Sequence, residues 1–307
     1  MTQHSGATPA EPTAGEVVRD FLGRGVGNLL RYDPIVRRRR DPEGIHQMRV
    51  NVRHLRSEMR VAGPVIRADE HEALDRELKW LGGALGRLRD LDVLNDLFAS
   101  GASGDVPTPP RVVTRLATQR TAEVARLNKA LRSKRYRRLM ESLSDAVVDP
   151  PLRASAAAPA SRVLGPGLRE VARDLAATVS DLGENPSPEA LHLVRIKVKR
   201  CRYNCELAEV FFADAGPAAR ELETAQGVLG DLHDHVVARD YLLEVTRPRE
   251  MFGGPPLDDE TLATARWLDE GVARLLAAWP EPVAAAVTAL APILHISSSE
   301  APDVPVK

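Results

Sequence analysis

Two short stretches concentrate the residues best suited to chemistry. "DPEGIHQMRVNVRHLR", Asp41 to Arg56, opens like a helix and then sets out His46, Arg49, Arg53 and Arg56 with no acidic residue after Glu43. "SPEALHLVRIKVKRCR", Ser187 to Arg202, repeats the grammar with His192, Arg195, Lys199 and Arg202, and no acid follows Glu189. The planar guanidinium donates paired hydrogen bonds to the oxygens of a phosphate, and lysine adds a compact charge. The chemistry these residues support is the holding of an oxyanion. No nucleophile or metal-ligand spacing accompanies them, so no catalytic residue, metal or cofactor is expected and the protein is read as a binder rather than an enzyme.

The elements that must position these side chains are helices. Asp41-Pro42 and Ser187-Pro188 each place a capping residue before a proline at the first helical position. At 100° per residue, the positions 3, 7 and 10 after each histidine lie within about 80° of it, a stripe on the order of 15 Å long that Arg60 extends. The opposite face carries Met48, Val52, Leu55 and Met59 in the first stretch and Val194, Val198, Cys201 and Cys205 in the second, which makes it the core face. Each stripe therefore rides on a packed element, and the free amides of the helix start favour an anion there. The competing reading is a solvated helix surface. Solvated faces usually mix signs for i,i+4 pairing, whereas these stripes recur without interleaved acids.

Other basic residues are less ordered. Arg37 to Arg40 form a run after Asp33-Pro34 that suits either phosphate binding or a solvated loop. "LNKALRSKRYRRLMESL" spreads its charges around a helix, so only part of it can face a ligand; Arg37, Lys129 and Arg135 join the candidates. Asp90, Asp92, Asp231 and Asp234, with His233 and His235, are read as ion-pair partners of the basic helices rather than as a metal site. No Walker loop, nucleophile elbow or HExxH is present.

Across the whole chain of 307 residues, the formal net charge is −1, so only local clustering can attract an anion. Aromatic residues make up 4%, and Ala, Leu, Arg, Glu and Val dominate, which favours helices. Two cysteines are too few for a disulfide framework. The N-terminus lacks the pattern of a signal peptide, and no run of about 18 apolar residues suggests a membrane span. The expectation is a soluble cytoplasmic protein. Residues 1–14 and 295–307 read as disordered tails and 149–164 as a linker. Residues 15–148 and 165–294 then form two units of four helices each. In the first unit these are roughly Gly15–Tyr32, Pro42–Ala62, Ala68–Ala99 and Arg111–Val147, broken at Asp33-Pro34, Gly63-Pro64 and a Gly/Pro-rich stretch.

The units resemble each other. Pro42, Glu43, His46, Arg49, Val52 and Arg56 match Pro188, Glu189, His192, Arg195, Val198 and Arg202 at one constant offset. "RELKWLGGALGRLRDLDV" then matches "RELETAQGVLGDLHDHVV" at a slightly shorter one. Two collinear matches indicate a duplicated helical unit, and the fold class is all-α with bundle packing.

With these motifs in hand, the chain resembles the CHAD family, the conserved-histidine α-helical domain. "VRRRRDPEGIHQMRVNVRHLRSEM", "WLGGALGRLRDLDVL" and "ALRSKRYRRLMESL" are similar to its first histidine helix, its LG-x-x-RD-x-DV segment and its basic helix, and the block at His192 to its repeat. The resemblance implies two four-helix bundles related by a pseudo-twofold, with basic residues of both lining a central groove. It also implies inorganic polyphosphate as the partner, with targeting to polyphosphate granules in some members. It assigns the binding role to His46, Arg49, Arg53, Arg56, His192, Arg195, Lys199 and Arg202. The second half departs from the pattern at His233, which stands for Arg89, and at Glu206, which stands for Arg60; the second bundle is therefore expected to hold the anion less strongly. The ExExK signature of a triphosphate tunnel domain is absent ("ELETA" has Ala225 in the lysine's place), which suggests a stand-alone module. The alternative is a nucleic-acid protein gripping the phosphate backbone, weakened by the few aromatics and the lack of base-reading Asn or Gln. A metal-chelating or phosphotransfer protein comes third.

Overall fold

A computed structural model describes residues 11–39, 41–246 and 257–295. Its elements are α1 (Ala14–Arg39), α2 (Pro42–Val61), α3 (Ala68–Ser103), α4 (Pro110–Leu131), α5 (Lys134–Val148), a 3₁₀ turn at Ala154–Ala157, α6 (Ala160–Ser180), α7 (Pro188–Ala208), α8 (Ala215–Thr246), α9 (Asp259–Ala278), α10 (Pro280–Ala289) and α11 (Ala291–Leu294). The fold is all-α; among the described residues the only extended pairings are the isolated bridges Thr13 to Pro159 and Ile66 to Leu152. No described helix is long and apolar enough to cross a membrane.

The two histidine helices start as their sequences dictate. The Asp41 carboxylate accepts from the amides of Glu43 and Gly44, and the Ser187 hydroxyl accepts from that of Ala190. Caps of this kind contribute about 1 kcal/mol each. Met48, Val52, Leu55 and Met59 are fully buried, as are Val194, Val198, Cys201 and Cys205. One core gathers α1, α2, α3 and α5, and a second gathers α6, α7, α8, α10 and α11. A third, smaller core joins the halves: Leu94 and Phe98 of α3 and Val112 and Leu116 of α4 pack with Ala238 and Leu242 of α8 and Leu268 of α9. The halves also touch through α2 and α7, where the His54 and Tyr203 rings lie 4.1 Å apart.

Three expectations from the sequence need correction. Asp33-Pro34 does not break α1, which runs on to Arg39. Its last turns are anchored from outside: Val36 is buried, the Tyr136 hydroxyl donates to Asp33 at 2.8 Å, and Arg37 bonds the same carboxylate. These contacts offset the roughly 3 kcal/mol cost of an internal proline. Arg37 and Arg38 thus stand on a helix rather than a loop, and Arg40 lies outside the described residues. The basic helix expected over Arg111–Val147 is two helices, because Ser133 caps a new one by accepting from the Tyr136 amide at 3.1 Å. The segment 149–164, read as a linker, is held by backbone hydrogen bonds to its surroundings. Arg153 donates to the Val65 carbonyl at 2.7 Å, Arg67 to Pro151 at 2.8 Å and Ala160 to Pro12 at 2.9 Å. Helix α6 begins inside it, with Ala160 and Leu164 fully buried. Of the expected tails, residues 1–10 and 296–307 lie outside the described residues, while Thr13 is held against Pro159.

Candidate functional site

Helices α2, α3, α7 and α8 enclose a cavity of about 590 Å³ between the halves. The first three members of each stripe line it: His46, Arg49 and Arg53 from α2, and His192, Arg195 and Lys199 from α7. Helix α3 adds Arg89 and Asp90, and α8 adds Asp231, His233 and Asp234. The floor on α8 is kept low by Gly227 and Gly230, where a Cβ would meet nothing within 4 Å. The equivalent Gly86 of α3 lies instead under the Arg49 guanidinium, 3.5 Å from where its Cβ would be.

The cations are under-compensated. Arg49 reaches Asp90 at 3.0 Å, and Arg89 reaches Asp96 at 3.4 Å. Among the described residues Arg53 and Arg195 have no such partner, and the Nε of each is buried without a hydrogen bond. Burial, then the nearby Arg195 and Arg53, brings the Lys199 amine down to about 7 against the opposing pull of Asp234. Burial and Arg89 hold His46 below its ordinary value, and burial with Arg195 and Lys199 does the same to His192. Burial and Arg195 lower His233 to about 4. The Nδ1 atoms of His192 and His233 face each other at 3.2 Å, a contact in which one ring must offer a lone pair. Asp234 shifts upward through its own burial. Such a site gains from an anion that supplies acceptors to the orphaned guanidinium donors and opposes the mutual repulsion of the cations. Among the described residues no group of three or more His, Cys, Asp or Glu stands where it could hold a metal ion.

The remaining sequence candidates lie elsewhere. Arg56 forms a two-point contact with Asp75 at 2.8 and 3.3 Å. Arg202 is held by Glu206 at 2.7 Å and Glu223 at 2.8 Å. Arg37 is bound to Asp33 and stacks over Tyr136; Arg135 is bound to Glu77 and stacks over Trp80. Lys129 is exposed on α4, and Arg60 is exposed at the end of α2; neither lines the cavity. The reading of Asp90 as an ion-pair partner of the basic helix agrees with its contact to Arg49. Arg89, Gly227 and Gly230 were not singled out as site residues, although the repeated LG-x-x-RD segment that contains or faces them was visible.

Residues 21–243 match the family model of the CHAD domain. An uncharacterized protein of Mycobacterium tuberculosis, found in strains CDC 1551 / Oshkosh and ATCC 25618 / H37Rv, is 30% identical over 249 residues, which are 77% of this chain and 46% of the relative. The chain thus spans about half the length of the curated relatives it matches. The crystal structure of the CHAD domain from the plant Ricinus communis shares the fold, with a TM-score of 0.63 and 24% identity over 97% of this chain and 96% of that one. PptA from Streptomyces chartreusis shares it with a TM-score of 0.64 and 20% identity over 92% and 99%.

Proposed function

The chain belongs to the CHAD domain family, and from that premise we propose that it binds inorganic polyphosphate in the groove between its halves and, where polyphosphate granules form in the cytoplasm, associates with them. The observation that carries this reading is the pair Arg53 and Arg195, one from each half, each with a buried Nε that no protein atom satisfies. A chain of phosphates offers acceptors at every unit, so one flexible ligand can meet both guanidinium groups, Arg49 and the Lys199 amine together. A nucleic acid offers the same backbone chemistry. A cavity of about 590 Å³ cannot enclose a duplex, and among the described residues the groove presents no Phe, Tyr or Trp on which a single-stranded base could stack. Binding without turnover is part of the same reading.

A competition titration tests this. Long-chain polyphosphate should displace a labelled polyphosphate probe, duplex DNA should compete poorly, and the recovered chain should keep its length in Mg²⁺ or Mn²⁺. With about five contacts to a flexible polyanion, affinity should fall by about 10² between 50 and 200 mM salt. Equal competition by DNA would transfer the site to nucleic acid.

A further inference from the structure

Among the described residues, three arginines bury an Nε that meets no hydrogen-bond partner, and the third of them lies outside the groove. Arg200 follows Lys199 directly, so its side chain leaves α7 about 100° around the helix. It lines a separate cleft against α6, with Glu170, Arg173 and Asp174. Helix α2 packs against both α6 and α7. Arg60, at the exposed end of α2, is held below its ordinary value by the partial burial of its guanidinium and next by the charge of Arg200.

The internal repeat explains why this corner is unusual. At the offset that aligns His46 with His192, Arg60 corresponds to Glu206 and Arg200 to His54. His54 and Glu206 meet at 3.4 Å, so one copy of this corner carries its own carboxylate. In the other copy the two equivalent positions are both arginines, Arg60 and Arg200, and neither they nor Arg173 forms an ion pair among the described residues. The acids nearby are largely committed. Asp75 is taken by Arg56 at 2.8 Å and Asp174 by Lys197 at 2.6 Å, which leaves Glu170 alone against three guanidinium groups.

We propose that Arg60 and Arg200 form a second oxyanion site, distinct from the groove, in which a phosphate group takes the place that the Glu206 carboxylate holds in the repeat-equivalent corner. The guanidinium of each arginine donates to the phosphate oxygens, and Arg173 stands at the rim of the same cleft. This site does not depend on the reading of the groove.

Tripolyphosphate, followed by calorimetry at low salt, is the probe. The native chain should bind two ions, and Arg200→Ala should bind one, with the other affinity unchanged. Arg60→Glu should also bind one, because it rebuilds the acid–base corner seen at His54 and Glu206; its melting temperature should match or exceed that of the native chain, which separates loss of the site from loss of the fold. Arg195→Glu should remove the groove ion and keep the second. Two bound ions in Arg200→Ala or Arg60→Glu, or a single native ion that Arg200→Ala still binds, would overturn the proposal. A single native ion that is lost in Arg200→Ala and kept in Arg195→Glu would uphold this site and remove the groove. Repeating Arg200→Ala with long-chain polyphosphate identifies the source of the phosphate. A tenfold or greater fall in affinity means one chain reaches both sites, and no change means a separate phosphate group fills the second; either result upholds it.

Discussion

Lys199 turns the groove into a site whose affinity depends on pH. Its amine, lowered to about 7 by burial and by Arg195 and Arg53, is only partly protonated at neutral pH in the empty groove. A bound polyanion favours the charged form and raises that value, so binding takes up a proton. The sign follows: affinity is full below about pH 7 and declines as pH rises toward the higher value of the complex, by up to about tenfold per pH unit. Stability of the empty protein moves the other way, because the unfolded lysine holds its proton to higher pH than the folded one. Lys199→Arg, which stays charged, should bind at pH 8.5 as it does at pH 7 and abolish the alkaline decline. An unaltered decline in that variant would place the titration elsewhere. At this scale the sequence was informative where a side chain had no partner. Types and spacing put Arg53 on one stripe and Arg195 with Lys199 on the other, and the groove they share was implied by the family resemblance. Arg56 and Arg135 stand outside the groove, paired with Asp75 and Glu77 of another helix, and no spacing within one stretch reveals that. Arg202 differs, since the adjacent Glu206 was in view.

The helices place these side chains through their caps and their small residues. Gly227 and Gly230 sit inside α8, where each costs about 1 kcal/mol relative to alanine. No neighbour requires a glycine there, since a Cβ at either would stand in open space within the groove. The gain is room for a ligand against the α8 backbone. Gly230→Ala should therefore raise stability by up to about 1 kcal/mol in chemical denaturation. Gly230→Leu should keep the fold and weaken polyphosphate binding at least tenfold by filling the floor. Wild-type affinity in the leucine variant would show that the ligand does not approach α8. The capped starts of α2 and α7 and their buried faces were legible in the sequence because local chemistry sets them. The passage of α1 through Pro34, and the ordering of 149–164, were not. Both are fixed by distant partners, Tyr136 in one case and the Val65 and Arg67 backbone in the other. The break at Ser133 was not read from the sequence, where the basic stretch was taken as one helix.

At the scale of the molecule, the repeat puts one cationic helix from each half on the same groove, and the third core locks the two long helices that form its other walls. A single site built from two halves behaves differently from two sites on two bundles. The first stripe was expected to be the stronger because it continues to Arg60. Arg60 stands outside the groove, however, and Arg49 already shares its charge with Asp90, whereas Arg195 has a buried Nε and no carboxylate partner. Arg195→Glu should consequently cost at least as much as Arg49→Glu. Each should weaken long-chain polyphosphate tenfold or more at low salt, above the 0–1 kcal/mol typical of an exposed ion pair. The reason is that each change removes a charge-assisted contact and adds a charge that repels the phosphates on the remaining half. In a shared groove both variants lower affinity for the same bound chain; in independent half-sites each would leave the other half binding at native strength. Val52 and Val198, fully buried on the opposite faces, should keep circular dichroism and melting behaviour close to native in both variants. Native affinity in Arg195→Glu alongside abolished binding in Arg49→Glu would confine the site to the first half and dissolve the shared groove.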